Sequence, residues 1–409
     1  MRPKQTIQDI TDWQGVRAFV RVDFNTPQDP GTGAITDDSR IRATLQTLQY
    51  LQSRGARLIV ASHLGRPKGK VDPKYSLAPM IERLRTLMPG VSILAAPAVV
   101  GAKVVAMAEA LEPGEILVLE NLRFEAAEEA NDPAFARQLG QLADIFVNDA
   151  FGAAHRAHAS TTGIAAFTPH HVAGFLMAAE IEALSQVTYH PKRPMTAIIG
   201  GSKVSTKIGV LNQLIQTVDT LVIGGGMMFT FIKAQGGKIG NSLIEENWLQ
   251  SAEQLLQQAK TLGKTLVLAS DVVAADAFSA TAHTRVCLAN DIPDGWMGLD
   301  IGPESIRAIQ SAIQASQTLL WNGPMGVFEL APFAEGTHAI AKTVADWTKN
   351  QQGISVLGGG DTVAAMEQFG FSPDQFSHVS TGGGASLEFL EGRLLPGIAV
   401  LDDVDSAVS

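Results

Sequence analysis

The chain contains a single cysteine, Cys287, among its 409 residues. No disulfide can therefore form within it, and this scarcity favours a reducing compartment such as the cytoplasm. Charged residues are also scarce, at 18%, whereas hydrophobic residues make up 45%. This composition argues against a disordered chain and predicts large hydrophobic cores.

Long uninterrupted apolar runs are missing as well. The most apolar stretch, residues 91–111, is broken by Pro97 and Lys103, and it predicts a buried strand and helix rather than a membrane span. The first ten residues are polar and resemble neither a signal peptide nor a transit peptide. We therefore expect a cytoplasmic protein with no membrane partner.

Basic residues are fewer than acidic residues over the whole chain, but not in its first part. Residues 1–172 hold equal numbers of basic and acidic residues, so the net charge of −10 lies entirely in the remainder. An acidic chain predicts no nucleic-acid partner. Most of the arginines fall in residues 1–172, which suggests a discrete anionic ligand there, although arginines on a solvated surface would give the same count.

Short β-branched segments alternate with helical segments along the whole chain. This alternation predicts an α/β fold with two Rossmann-like domains, each a parallel sheet flanked by helices, and the length of the chain suits two domains. The predicted strands are 18–22, 58–61, 116–119, 145–147, 196–199, 220–223, 265–268, 318–320 and 354–357. The predicted helices include 39–53, 131–142, 204–216, 246–261 and 303–316.

The boundary between the two domains is expected near residues 170–193. Breaks at 168–171 and at 189–194 enclose a helical stretch, which predicts one helix that bridges the domains. The expected division is therefore a first domain at 1–172, a hinge helix at 173–190 and a second domain at 191–394.

Arginine, histidine and polar side chains follow the predicted strands of the first half. The carboxyl ends of parallel strands meet at one edge of a sheet, so these side chains are expected to converge on one small polyanion. Bidentate arginine contacts suit phosphate or carboxylate oxygens, although any one arginine could instead cap a helix or pair with an aspartate. The cationic candidates are Arg40, Arg66, Arg123, Arg156 and His63, and the candidates for ligand hydroxyls are Asp23 and Asn25.

A metal site built from His63, His155 and His158 is the alternative for this region. The surrounding arginines would repel a cation, and neither cysteine nor a histidine pair with zinc spacing accompanies these residues. The pattern therefore favours an anion site.

Glycine clusters follow the strands of the second half. Glycine lets backbone amides approach phosphates closely, and a following helix adds its positive end. Lys203 and Lys207 would share one helix face, and Asp361 could hold Mg²⁺ beside nucleotide phosphates. Tight turns and close packing also need glycine, so each cluster alone has two interpretations. The clusters are 200–201, 224–226, 358–360 and 382–384.

These clusters fit neither the Walker A pattern nor the G-x-G-x-x-G pattern of dinucleotide-binding proteins. The pattern argues against a standard P-loop nucleotidase and a standard nicotinamide oxidoreductase. The G-x-S-x-G nucleophile turn is also missing.

Nine motifs, in order along nearly the whole chain, resemble those of phosphoglycerate kinases. They are RVDFN (21–25), SHLGRP (62–67), ENLRF (120–124), VNDAFGAAHRAHAS (147–160), KVSTKIGVL (203–211), GWMGLDIGPES (295–305), WNGPMGVFE (321–329), GGGDT (358–362) and TGGGASLEFLEG (381–392).

The resemblance implies a hinged, two-domain enzyme that transfers a phosphoryl group reversibly between 1,3-bisphosphoglycerate and ADP, giving 3-phosphoglycerate and ATP, with Mg²⁺. The first domain would bind the glycerate substrate and the second the nucleotide. It also implies a monomer, and a C-terminal segment, 395–409, that packs back on the first domain. A non-catalytic binding protein on the same fold is the alternative.

Matched motif by motif, the resemblance also implies residue roles. The glycerate ligands would be Asp23, Asn25, Arg40, His63, Arg66, Arg123 and Arg156. The nucleotide ligands would be Lys203, Lys207, Gly298, Asn322, Glu329, Gly359, Gly360, Asp361 and Thr362, with Asp361 on Mg²⁺. An acyl phosphate needs no general base, so catalysis would rest on positioning and charge neutralisation. The residues expected in that role are Arg40, Lys203, Gly360 and Gly383.

A few positions depart from the family pattern. Ser202 stands where alanine is expected, and Thr206 where aspartate is common. Ala178 and Ala179 replace a charged pair that the family tends to carry in the hinge helix. A hinge salt bridge at these two positions is therefore not expected.

Overall fold

The computed structural model describes residues 2–404. The chain forms two compact units, one made of residues up to Glu182 together with those from Leu394 onward, the other of Ala183–Arg393. The division falls inside the helix Phe175–Thr188. The assignment of functional domains to residues 1–172 and 191–394, with a hinge helix at 173–190, remains a prediction. Among the described residues, every helix is too short or too polar to cross a bilayer.

The first unit is built on a six-stranded parallel sheet. Its strands are β1 (Arg17–Arg21), β2 (Arg57–Ala61), β3 (Ile93–Ala95), β4 (Ile116–Val118), β5 (Ile145–Asn148) and β6 (His170–Ala173). Their order is β3-β4-β2-β1-β5-β6, and all neighbours are parallel. The sequence predicts a break at 168–171, because two histidines interrupt the apolar pattern typical of a buried strand. This prediction is wrong at its end: the backbone of β6 pairs with β5.

Helices cover both faces of this sheet. Successive strand residues point to opposite faces, so Val20 packs in one core with Ile41 and Leu48, whereas Phe19 packs in the other with Leu139. The two buried faces explain the continuous apolar strands. The helices are α1 (Ser39–Ser53), α2 (Ala78–Leu87), α3 (Ala102–Glu109), α4 (Ala126–Glu129), α5 (Pro133–Gly140) and α6 (Phe175–Thr188), with 3₁₀ turns at Pro73–Tyr75, Leu122–Phe124, Phe151–Ala153 and Gly163–Phe167.

The second unit repeats this plan and adds two small sheets. Its strands are β7 (Met195–Ile199), β8 (Thr220–Ile223), β9 (Lys238–Ile239), β10 (Thr265–Leu268), β11 (Asp271–Ala275), β12 (Thr284–Leu288), β13 (Asp291–Ile292), β14 (Met297–Ile301), β15 (Thr318–Asn322), β16 (Ile354–Gly358) and β17 (His378–Val379). The main sheet is parallel, in the order β10-β8-β7-β15-β16-β17.

The helices of the second unit alternate with its strands along the chain. They are α7 (Ile208–Thr217), α8 (Met228–Ala234), α9 (Leu249–Thr261), α10 (Pro303–Gln314), α11 (Glu335–Gln351), α12 (Gly360–Gln368) and α13 (Gly384–Leu390). Short 3₁₀ turns lie at Val204–Thr206, Glu246–Trp248, Ala331–Phe333 and Pro373–Gln375. The first two of these begin segments that the sequence predicted as continuous helices.

An antiparallel three-stranded sheet, β12-β11-β14, was not predicted from the sequence. Its outer strand exposes Val286 and Leu288 to solvent. A strand that is open on one side lacks the uninterrupted apolar run by which buried parallel strands are found. The parallel pair of β9 and β13 is only two residues long on each side, which is too short for any sequence pattern.

The C-terminal segment returns to the first unit through the helix α14 (Pro396–Ala399). The Asn148 side chain donates to the carbonyl of Gly397 at 3.0 Å, and the Gln5 amide donates to the carbonyl of Asp402 at 2.8 Å. The segment expected to pack here was 395–409; its last part, 405–409, lies outside the described residues.

Candidate active site

The first unit gathers the predicted anion ligands at one edge of its sheet. Neighbouring strands β4, β2, β1 and β5 end at Val118, Ala61, Arg21 and Asn148. The residues that follow these four ends are the predicted ones, because a parallel arrangement directs all four carboxyl ends to the same side. Arg40 joins them from the first turn of α1.

Asp23 is the acidic centre of this cluster. It is 9% exposed, and its Oδ2 accepts a hydrogen bond from Arg40 Nη1 at 2.6 Å. Its Oδ1 accepts from the amide of Asn25 at 3.0 Å. Burial alone would raise the pKa of Asp23, but His63, Arg40 and Arg21, together with the hydrogen bond from the Asn25 amide, outweigh it and lower the pKa below the ordinary value. Asp23 is therefore ionised at neutral pH and holds the Arg40 side chain in place.

His63 lies beside Asp23 and is also buried. Its Nδ1 lies 3.1 Å from Nη2 of Arg21. Burial disfavours the imidazolium and lowers the pKa of His63 well below the ordinary value; Asp23 opposes this shift, whereas Arg21, Arg123 and Arg40 add to it. His63 is consequently a neutral hydrogen-bonding group in the middle of a cationic cluster.

Arg123 anchors the other side of the cluster. Its Nη1 donates to the carbonyl of Gly65 at 2.7 Å, and its Nε lies 3.3 Å from Oε1 of Glu129. Burial lowers the pKa of Arg123; the charges of Glu129 and Glu128 oppose this shift, whereas the positive charges of Arg156 and Arg66 add to it. Three arginines that repel one another in this way form a site with a strong preference for an anion.

A network of side-chain amides shapes the loop after β2, where His63 and Arg66 lie. Asn25 Oδ1 accepts from the amide of Gly65 at 2.8 Å, and Asn121 Nδ2 donates to the carbonyl of Leu64 at 2.8 Å. Gly65 has φ of +58°, and a Cβ there would lie 2.4 Å from the ring of Tyr75. The loop therefore requires glycine for both conformation and space.

The alternative metal site finds no further support in the geometry. His158 lies 4.0 Å from Glu128, measured from Nδ1 to Oε1, and burial together with nearby arginines lowers its pKa to about 4. Within residues 2–404, no group of three or more histidine, cysteine or acidic side chains is arranged to hold a metal ion.

The second unit contains a pocket of about 420 Å³ next to its glycine clusters. Apolar side chains form much of its wall, among them Phe229, Leu243, Phe278 and Met325. Three of the predicted nucleotide ligands, Gly298, Glu329 and Asp361, also line it. An apolar pocket with a few polar groups at its edge is the usual form of a small-molecule binding site.

Lys207 and Asn322 meet at the carboxyl end of β15. The ammonium group of Lys207 donates to Oδ1 of Asn322. Burial lowers the pKa of Lys207 to about 8, and the charge of Asp361 acts in the opposite direction. The buried Nδ2 of Asn322 has no hydrogen-bond partner within the part of the chain that the structure describes, so it is an available donor. Thr362 supports the same strand end, since its hydroxyl accepts from the amide of Gly323 at 2.7 Å.

The structure distinguishes between the two interpretations of the glycine clusters, which were close packing and the approach of backbone amides to phosphates. A Cβ on Gly200 would lie 2.1 Å from the carbonyl oxygen of Pro324, and one on Gly224 would lie 2.5 Å from Sδ of Met325, so packing alone requires these two. A Cβ on Gly360 or Gly383 would meet nothing within 4 Å. Packing does not explain these last two glycines, although Gly383 has a φ of +52°, a conformation that favours glycine.

Lys203 precedes a 3₁₀ turn, Val204–Thr206, which is stabilised by the side chain of Glu245. Glu245 accepts from the amide of Ser205 at 3.0 Å and from its hydroxyl at 2.6 Å. The Thr206 hydroxyl donates to the carbonyl of Lys203 at 3.0 Å. Threonine at this position therefore stabilises the turn that presents Lys203.

Sequence reasoning missed several polar residues beside these sites. Arg21, Glu128 and Ser160 form a buried group behind His63, and Asp300 lines the pocket of the second unit. Burial raises the pKa of Asp300 to about 7, although the amides of Gly336 and Ile301 oppose this. Arg21 could have been noticed as a charge inside an apolar strand, whereas Glu128 follows an exposed-looking acidic run that gives no such signal.

Comparison with known proteins identifies the same similarity over nearly the whole chain. A family model described as phosphoglycerate kinase matches residues 7–393. A phosphoglycerate kinase of Roseiflexus sp. (strain RS-1) is 55% identical over 401 residues, which are 98% of this chain and 99% of the relative. A protein named phosphoglycerate kinase 3, cytosolic, of Arabidopsis thaliana is 53% identical and covers 96% of each chain.

Solved structures give the same result for the fold. The phosphoglycerate kinase of Coxiella burnetii superimposes with a TM-score of 0.89 at 40% identity, covering 97% of this chain and 98% of that one. The enzyme of Pyrococcus horikoshii OT3 superimposes with a TM-score of 0.79 at 28% identity and the same coverage.

Proposed function

Because this chain belongs to the phosphoglycerate kinase family, a family of phosphotransferases with a carboxyl group as acceptor, we propose that its first unit binds the phosphoglycerate and its second unit binds the magnesium nucleotide. The observation that carries this assignment is the contrast between the two sites: an arginine cluster at the strand ends of one unit and an apolar pocket edged by Asp361 in the other.

The glycerate site would use the cluster around His63. Arg66, Arg123 and Arg156 would bind the anionic groups of the ligand through paired hydrogen bonds. Asp23 and Asn25 would bind its hydroxyl, and His63 would donate to an anionic oxygen. Support for this comes from the mutual repulsion of the arginines, which binding of an anion would relieve.

The nucleotide site would use the pocket of the second unit and the strand end beside it. The base would enter between apolar side chains near Gly298, and Glu329 would accept from a ribose hydroxyl. Lys207, Asn322, Thr362 and the backbone at Gly359 would surround the phosphates. Asp361, exposed at the start of α12, is a hard oxygen ligand of the kind that Mg²⁺ prefers next to phosphates. When bound, Mg²⁺ would neutralise charge on the phosphate oxygens.

Phosphoryl transfer would then depend on charge stabilisation. The acyl phosphate is already activated, so the chain's own task is to hold the two reacting oxygens in line and to neutralise the moving group. Arg40 and Lys203 would supply positive charge, and the amides at Gly360 and Gly383 would supply hydrogen bonds. Substrates bound to separate units can react only if the units close on each other during turnover.

The remaining features of the proposal concern the cell. We place the enzyme in the cytoplasm, in line with the single cysteine and the cytosolic Arabidopsis relative, and we expect a monomer with no nucleic-acid or membrane partner. Light scattering at working concentration tests the monomer.

The decisive assay couples ATP consumption to 3-phosphoglycerate, with Mg²⁺ varied. Turnover that requires both substrates and Mg²⁺ is expected, and its absence would contradict the proposal. Asp361→Asn should raise the Mg²⁺ concentration for half-maximal rate by about tenfold or more, the usual scale for weakening a metal site. Asp346→Asn, at an exposed carboxylate paired with Lys342, is the matched control and should behave as wild type.

A further inference from the structure

A line of buried polar groups stands behind His63. Arg21 is 1% exposed, and Ser160 and Glu128 are fully buried. Arg21 Nε donates to Ser160 Oγ at 2.9 Å, and Arg21 Nη2 contacts His63 Nδ1 at 3.1 Å. The line therefore runs from Glu128 through Ser160 and Arg21 to His63, within the first unit.

The direction of each hydrogen bond along this line is fixed by chemistry. The Glu128 carboxylate accepts from the Ser160 hydroxyl at 2.5 Å and from the Ser160 amide at 2.9 Å. With its proton committed to Glu128, Ser160 Oγ offers only lone pairs to Arg21. A guanidinium has no acceptor atom, so Arg21 must donate to His63, and Nδ1 of His63 must accept.

We propose that Arg21, Ser160 and Glu128 are positioning residues that hold His63 neutral, with its single proton on Nε2, in the orientation that donates a hydrogen bond to the glycerate ligand. The inference deepens the function proposed above and rests on its assignment of His63 to the glycerate site. It assigns a role to three residues that do not themselves contact the ligand.

Two features of the site agree with this role. Carboxylate and phosphate oxygens of a glycerate ligand only accept hydrogen bonds, so the other tautomer of His63 would present a lone pair to them. No hydrogen bond among the described residues ends on Nε2 of His63, which leaves this donor available. A proton on Nδ1 would instead face an N–H group of Arg21, so both the imidazolium and the other tautomer are disfavoured by the same contact.

The state of His63 can be read directly from its ring nitrogens. In the ligand-free, full-length protein labelled with ¹⁵N-histidine, His63 should show one neutral form, protonated on Nε2, and no titration between pH 5.5 and 8. Arg21→Gln replaces a group that can only donate by an amide that can donate or accept, so His63 should then populate both neutral tautomers. An imidazolium or a proton on Nδ1 in the wild type would overturn the proposal, as would an unchanged single tautomer in Arg21→Gln.

A second variant protects the test against misfolding. Ser160→Ala keeps Arg21 but removes its anchor, and it should shift the His63 nitrogen signals in the same direction by a smaller amount. Ser355→Ala, which removes an equally buried serine hydroxyl from the second unit, is the control and should leave those signals unchanged. Equal spectra for Ser160→Ala and the control would overturn the role of Ser160.

Kinetics connect the tautomer to function. If about half of His63 is in the wrong form in Arg21→Gln at pH 8, KM for 3-phosphoglycerate should rise about twofold, because apparent affinity scales with the competent fraction, whereas kcat should change less. The His63→Ala variant tests the proposed contact with the ligand separately from the proposed tautomer. An unchanged KM in that variant would overturn the proposed contact with the ligand, while the nitrogen signals would still support the assigned tautomer.

Discussion

Replacing Asp149 by asparagine is expected to stabilise the first unit above neutral pH. This carboxyl is fully buried at the start of α6. Its Oδ1 accepts from the amide of Met177 at 3.1 Å, whereas its Oδ2 has no hydrogen-bond partner among the described residues. Burial raises its pKa from 3.8 to about 7, with hydrogen bonds from Thr47 and Met177 opposing the shift. Asparagine keeps the accepting oxygen and carries no charge.

The magnitude follows from this raised pKa. Between pH 3.8 and about 7 the unfolded chain has lost the proton that the folded chain keeps, so stability falls as pH rises by about 1.4 kcal/mol per unit. Above pH 7 both states are ionised and the loss is complete, at roughly 4 kcal/mol. The advantage of Asp149→Asn over wild type should therefore grow by roughly 2 to 3 kcal/mol between pH 5 and pH 8.

Urea unfolding of both proteins at pH 5, 6.5 and 8 measures this difference. Asp300 is the matched comparison, since burial raises its pKa to about 7 as well. Both of its oxygens accept backbone amides, from Ile301 at 2.9 Å and Gly336 at 2.7 Å. Asp300→Asn should flatten the pH dependence too, but the lost hydrogen bond should lower stability at pH 5 by about 1–3 kcal/mol. Parallel pH profiles for wild type and Asp149→Asn would refute the reasoning.

Three further predictions concern the active site. Arg40→Ala should lower kcat by about 10²–10³-fold, the scale for one preorganised charge stabiliser; a near-normal kcat would remove Arg40 from the mechanism. Gly360→Ala should change the free energy of unfolding by less than about 1 kcal/mol yet raise KM for ATP, whereas Gly200→Ala should destabilise strongly because its Cβ would overlap a backbone carbonyl; equal melting temperatures for the two would contradict this. The pKa of Lys207, lowered to about 8, predicts that affinity for ATP falls as pH rises through 8, because the ammonium loses its charge; Lys207→Arg should flatten this profile, and a steep profile in that variant would exclude Lys207 as its source.

The sequence was most informative where one residue type repeats at equivalent positions. Four arginines after four strands predicted an anion site, and the fold brings these strand ends to one edge of the sheet. It was least informative where partners are distant in the chain. Arg21 and Ser160 are 139 residues apart, and no spacing rule connects them. Glycines gave an equal signal whether they serve packing, as Gly200 does, or border open space, as Gly360 does.

By itself, the sequence determined the α/β class, the presence of two main parallel sheets and the identity of the charged candidates, because buried strands need continuous apolar runs and anions need cations. The tertiary structure decided what each polar group can do. Only packing sets how far a carboxyl such as Asp149 or an imidazole such as His63 is removed from water, and which atom faces it. Desolvation and hydrogen-bond direction depend on all neighbours at once, so they become defined only when the chain has folded.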